Sequence, residues 1–190
     1  MKGFRIFTLV SILVFTSCST FSEEEKQAYT AKGNEISQKA FKALSSELMA
    51  QMKAGGPVQA VSFCNINALP LTATVAEENG VHIKRTSDKI RNKANKATPR
   101  ELEVIISYKA KFDLGKELQP VVEKREGQVH YYAPIKVMTA CLNCHGTSEQ
   151  ISKPADSILS LKYPKDMAVN YKEGELRGIW SITFENEVKQ

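Results

Sequence analysis

Only three histidines and four cysteines occur in this 190-residue chain; it has no internal repeat and no strong excess of either charge. Each shortage excludes something. With 26 basic and 21 acidic residues the formal charge is +5, and without residues 1–17, which hold Lys2 and Arg5, it is 24 against 21, or +3. So mild a balance implies no nucleic-acid partner. The length suits one domain with a core and is too short for two of ordinary size. A hydrophobic share of 42% and a charged share of 25% are ordinary for a folded protein, so composition points to no chemistry and the motifs must.

What is there begins at the N-terminus. Lys2 and Arg5 form a positive start, Ile6 to Phe15 form a mostly apolar run of ten, and Phe15-Thr16-Ser17-Cys18 closes it. That run is too short to span a bilayer permanently. Small residues followed directly by cysteine resemble a lipoprotein processing site, so residues 1–17 read as a lipoprotein-type signal peptide and Cys18 as the lipidated residue. Phe15 stands where such sites usually carry Leu, and ordinary cleavage is the alternative. Residues 18–190 then form one exported domain, held at the periplasmic or envelope face of a membrane by its lipid anchor.

Residues 22–53 open with Glu23, Glu24 and Glu25 and then place Ala40, Leu44, Leu48 and Met52 on one helical stripe, ending at Gly55-Gly56-Pro57. Such a stripe offers a surface on which a second copy could pair. Val61, Cys64, Ala68, Leu71 and Val75 define a second apolar face, which stops at Asn79-Gly80, with Pro70 expected to kink or break it. Residues 81–87 alternate as a strand with Val81, Ile83, Arg85 and Ser87 on one face and His82, Lys84 and Thr86 on the other. Residues 89–98 read as a polar loop, with Lys89, Lys93 and Lys96 solvated. Thr98-Pro99-Arg100-Glu101 starts a helix that runs to about Leu114.

A strand pair follows at 119–126 and 128–137 around Gly127, with Val129, Tyr131, Ala133, Ile135 and Val137 inward and His130 outward. A short apolar run at Ile158 to Leu161, a turn near Tyr163-Pro164 and a last strand from Arg177 to Phe184 complete the chain. Helices first and antiparallel strands after them predict the α+β class.

Chemistry is concentrated at Cys141-Leu142-Asn143-Cys144-His145. C-x-x-C-H is the attachment signature of c-type haem: two thiols three residues apart reach the two vinyl groups, and the adjacent imidazole then lies under the iron. A zinc knuckle needs a second ligand pair, whereas His82 and His130 are single and on predicted solvent faces. A thioredoxin-like dithiol needs a parallel βαβ unit, which the pattern lacks. One covalent haem per chain is therefore expected, through Cys141 and Cys144, with His145 as an axial ligand. The residues alone leave the other axial ligand open between Met167, the ordinary kind of candidate downstream of the motif, and Cys64, a thiol with no disulfide partner on an apolar face. Arg85 joins the site because an inward guanidinium needs an anion, and a haem propionate is one; Arg91 with Asn92 and Asn95 would line the same edge.

Several stretches, taken in order, carry a likeness: C-N-I-N-A-L-P at 64–70, I-K-R-T-S at 83–87, R-N-K-A-N at 91–95, Y-A-P-I at 132–135, C-L-N-C-H-G at 141–146, Y-P-K-D-M-A at 163–168 and G-E-L-R-G-I at 174–179. Together they resemble the PAS-like monohaem c-type cytochrome domain family, also found as the input module of bacterial sensor kinases. The resemblance implies a PAS-like antiparallel sheet with N-terminal helices, and His/Cys axial ligation with Cys64 as the cysteine. Unlike the sensor-kinase members, this chain shows no membrane span or kinase after residue 186, so signalling would need a partner protein.

The expectation is a redox or small-ligand sensing module, responsive to a partner or a small gaseous ligand, rather than an enzyme: no distal histidine is placed for peroxidase-like acid–base work. Ferric iron, porphyrin core and thiolate sum to zero charge, so reduction would leave a net negative charge in an apolar pocket and keep the potential low. The alternative is an electron-transfer cytochrome c of the envelope, which would keep both ligands in both oxidation states.

Overall fold

The computed structural model describes residues 21–185; the leader and Cys18 lie outside them. Helix α1 (Glu23–Asn79) opens on a reciprocal cap, in which Ser22 Oγ accepts from the Glu25 N–H at 3.1 Å and the Glu25 carboxylate accepts from the Ser22 N–H at 2.7 Å. Three acidic residues in its first turn face the positive end of the helix dipole. The helix is interrupted at Gly55 and Gly56, the latter at φ 67°, ψ −159°, a conformation open only to glycine. The chain reverses there. Gln59 donates to Gln51 at 3.0 Å and Lys39 to Asn79 at 3.4 Å, so the arms at 23–54 and 57–79 run back along each other.

Pro57 starts the second arm, where its missing N–H costs nothing. Pro70, expected to kink or break this arm, does not break it: only Gly55 and Gly56 leave helical geometry. The carbonyl that Pro70 deprives of a donor belongs to Ile66, which is 69% exposed and therefore open to water.

After a left-handed cap at Gly80, strand β1 (Val81–Thr86) leads to a short 3₁₀ turn at Lys93–Asn95 and to helix α2 (Pro99–Asp113). Strands β2 (Val121–Arg125) and β3 (Gln128–Lys136) form a hairpin. The short helix α3 (Leu142–His145), helix α4 (Lys153–Lys162) and strand β4 (Leu176–Phe184) follow. All neighbouring strands are antiparallel, in the order β1-β4-β3-β2, and the class is α+β as the pattern predicts.

One face of the sheet buries Val81, Val129, Tyr131, Ala133, Trp180 and Ile182 against Tyr29, Ile36, Ala40 and Val75 of α1. The other face, which strand alternation assigns to solvent, is covered at its centre by α2: Val104, Ile105 and Tyr108 pack on Tyr132, Leu176 and Ile179. Tyr108 is fixed there by its hydroxyl, whose single proton is shared between the Gln119 and Tyr132 carbonyls at 2.9 and 3.0 Å. A third, smaller core ties the second arm of α1 to α4 through Val61, Ile151, Ala155 and Leu159. Among the described residues no helix is long and apolar enough to cross a membrane.

Candidate cofactor-binding site

The C-x-x-C-H segment is a 3₁₀ turn, Thr139–Cys141, running straight into α3. One helical turn sets Cys141 and Cys144 on the same side, with His145 beside the second. Cys141 packs against Val137, Ala168 and Tyr171, and Cys144 joins the small core of Val61 and Leu159. Both are free thiols, and burial pushes the Cys144 thiol up against the opposing pull of Arg91.

The segment is braced from behind by the loop at 163–171. Tyr171 N–H donates to the His145 carbonyl and Asn170 N–H to the Gly146 carbonyl, each at 2.9 Å. His145 Nδ1 lies 2.7 Å from the Ala168 carbonyl oxygen. A carbonyl can only accept, so Nδ1 carries the proton and Nε2 the lone pair. Burial, then the positive charges of Arg91 and Arg177, drop the imidazole from its usual 6.5 to about 3, which keeps it neutral at physiological pH. No hydrogen-bond partner meets Nε2 among the described residues.

Arg91 holds the brace in place. Its Nε donates to Asp166 at 2.8 Å, and Nη2 donates to the Cys144 carbonyl and to the Ala168 carbonyl. Met167 N–H bonds the Ile90 carbonyl at 2.9 Å, which ties the loop to the segment after β1. Lys89, expected in a solvated loop, is instead part of this lacing: its ammonium donates to the Val169 carbonyl at 2.5 Å and stands 4.3 Å from the Tyr171 ring centre. Both contacts lie 80 residues or more away in sequence, which is why loop polarity misplaced it. Lys93 and Lys96 are exposed.

The second arm of α1 closes the site from the other side. Val61 packs in the core that holds Cys144, and Cys64 follows one turn later, half-buried and within electrostatic reach of Cys144 and Arg85. Burial raises the Cys64 thiol, Arg85 opposes that rise, and Cys144 adds to it. Arg85 itself is half-buried on the β1 face that looks toward α1, 5.9 Å from the Trp180 ring centre. At the start of β4, Arg177 donates from Nη1 to the Lys89 carbonyl at 3.1 Å, and its buried Nε has no partner among the described residues. Gly178 lets β1 and β4 draw together beside these arginines: a Cβ there would stand 2.2 Å from the Thr86 carbonyl oxygen.

Cys64, Arg85, Cys141, Cys144 and His145 thus gather at one end of the sheet. The other candidates do not join them. Met167 is 51% exposed. His82 is exposed beside Glu185 at 2.9 Å, and His130 lies 3.1 Å from the Thr183 hydroxyl, both at the far end of β4. Arg91 is taken up by Asp166 and two carbonyls, Asn92 caps the 3₁₀ turn, and the Asn95 carbonyl accepts from Thr86. No group of three or more His, Cys, Asp or Glu side chains could cage a metal ion among the described residues. Sequence reasoning did not single out Arg177, Asp166 or the Ala168 carbonyl; the only signal for Arg177 was its place at the start of the last strand, in G-E-L-R-G-I.

Comparison with the curated proteins finds no match. Among solved structures, the crystal structure of the cyanobacterial heme-protein Tll0287 superposes with a TM-score of 0.60 at 21% identity, over 89% of this chain and 99% of that one. Likeness at that identity establishes the fold. A family model described as Tll0287-like matches residues 19–184, most of the length, and the chain belongs to the Tll0287-like family.

Proposed function

We propose that this chain carries one haem c, linked through Cys141 and Cys144 and held axially by His145 and Cys64, and that it serves as a redox or small-ligand sensing module of the cell envelope, anchored by lipid at Cys18. The observation that carries the reading is the state of His145: Nδ1–H committed to the Ala168 carbonyl at 2.7 Å, Nε2 left as an unpartnered lone pair, and two free thiols on the same turn. The donor set fits the group. A neutral imidazole is the form that can ligate iron, and the likeness in fold to a protein titled a heme-protein agrees with it.

When bound, haem supplies a one-electron iron couple. The chain supplies the rest. Ala168 and Arg91 fix the ring orientation and tautomer of His145. Arg85 favours the thiolate form of Cys64 against the pull of burial. A Cys64 thiolate holding the group would stabilise its ferric charge and keep the potential low. The helical arm that bears Cys64 is separate in sequence from the turn that bears His145, so a change of ligation at Cys64 would act on an arm that a partner protein could read.

Mass spectrometry after acid–acetone extraction tests the attachment: the mature mass should include one haem, and a mass without it would sink the reading. Cys141→Ala with Cys144→Ala should leave no pigment on a denaturing gel. Carbon monoxide separates sensor from carrier, since a carrier keeps both ligands when reduced and a sensor that releases Cys64 should bind the gas.

A further inference from the structure

We infer that Arg85 and Arg177 together form a receptor for a dianion, whose two carboxylates are the propionates of the haem proposed above; the inference rests on that reading. Charge pairing across the molecule singles these two out. Arg91 is answered by Asp166, Lys84 by Glu101, Lys109 by Asp88 and Arg100 by Glu123. Among the described residues neither half-buried guanidinium of Arg85 and Arg177 forms an ion pair with a carboxylate, the Cys64 thiol acting on Arg85 and Asp166 on Arg177 only from beyond that distance. Their close partners are two aromatic residues, Trp180 with its ring 5.9 Å from Arg85 and Tyr171 with its ring 5.4 Å from Arg177 and its hydroxyl in side-chain contact with that guanidinium, and one carbonyl, that of Lys89. An aromatic face offsets only part of the cost of a buried cation.

Arg177 also shows which way its receptor points. Nη1 is engaged by the Lys89 carbonyl, and Nε is the one buried side-chain polar atom with no hydrogen-bond partner among the described residues. Nε, with Nη2 beside it, forms the planar edge that takes a carboxylate through two parallel hydrogen bonds. Arg85 and Arg177 lie within electrostatic reach of each other, and both act on His145. Two like charges held close in a low-dielectric site repel, and that repulsion is relieved most by a ligand bringing more than one negative charge. A ligand with two carboxylates answers both. Lys89, the other cation beside Tyr171, already has the Val169 carbonyl.

The test uses holoprotein made with isotopically labelled aminolevulinate, which places the label in the propionate carboxyls, read by infrared difference spectroscopy between oxidised and reduced forms. Both labelled groups should appear as ionised carboxylates in the wild type. Arg177→Gln and Arg85→Gln should each convert one of them to a protonated carboxyl band, the double variant should convert both, and Arg177→Lys should keep them ionised with a shifted carboxylate stretch. Labelled bands in Arg177→Gln identical to the wild type would overturn the proposal, whatever happens to thermal stability or haem yield. Should Arg177→Gln fail to accumulate, Arg177→Lys decides by the same bands, and an unshifted stretch overturns it. Wild type without label would overturn the haem reading and this inference with it; labelled protein with unchanged bands overturns this inference alone.

Discussion

Ala168 acts through its backbone, and its carbonyl oxygen decides which nitrogen of His145 carries the proton. That dependence was not legible in the sequence. C-x-x-C-H announces itself because its chemistry is local, whereas the partners that orient it come from 23 positions away in Ala168, and Arg91 finds Asp166 75 positions away. Cys64 lies between these cases: periodicity placed it on an apolar face, but only the fold brings it beside Cys144. Cys64→Ala should turn the ferric spectrum from low-spin thiolate to five-coordinate or water-ligated and raise the potential, because an uncompensated positive charge favours reduction. Met167→Leu should leave both as they are, its side chain being exposed. The opposite pattern in the two spectra would award the ligation to Met167.

Among the elements, those whose ends carry their own chemistry were readable. Asn79-Gly80 stops α1, Gly55-Gly56 folds it, and Thr98 with Glu101 starts α2. Helix α4 was read only as a short apolar run, although Ser152 and Pro154 mark its start and Ala155 and Leu159 its buried side. At the fold of α1, a Cβ on Gly56 would meet no atom within 4 Å, so Gly56→Ala should cost only the strain of a backbone conformation kept for glycine, about 1–3 kcal/mol in urea unfolding. An unaltered midpoint would show that the turn tolerates a side chain.

Glu101 does two jobs, accepting from the Thr98 N–H at 2.7 Å and from Lys84 at 2.8 Å. Burial pushes its carboxyl up, but those two donors and Ser181 pull it further down, below its usual 4.5. A carboxyl depressed by folding lends stability above its unfolded value, and that stability is lost as pH falls through the folded one. Thermal midpoints should therefore drop below about pH 4.5 less steeply in Glu101→Gln than in wild type. At neutral pH the same variant should be about 2 kcal/mol less stable, since it leaves the partly buried ammonium of Lys84 without its counter-charge.

At the scale of the molecule, the class was legible and the layering was not. Alternation along β3 marks one inward face, yet α1 and α2 bury both, because Tyr132 and Ile179 supply a second apolar set that period-two counting assigns to water. The proposed lipid anchor at Cys18 belongs to this scale too. Fatty-acid labelling should mark the wild type and miss Cys18→Ala, and release of wild type as an unlabelled soluble species would favour ordinary cleavage.

Because β4 lies between β1 and β3, the centre of the sheet is the last part of it to be synthesised. A chain made from its N-terminus offers β1 no strand to pair with for about as long as it takes to add the next hundred residues, at roughly 5–20 residues per second. The cysteine turn at 141–145 therefore emerges ahead of the strand that carries Arg177. If the proposed haem is attached as that turn emerges, the platform behind it would still be open, and the arrival of β4 would then seal β1 to β3.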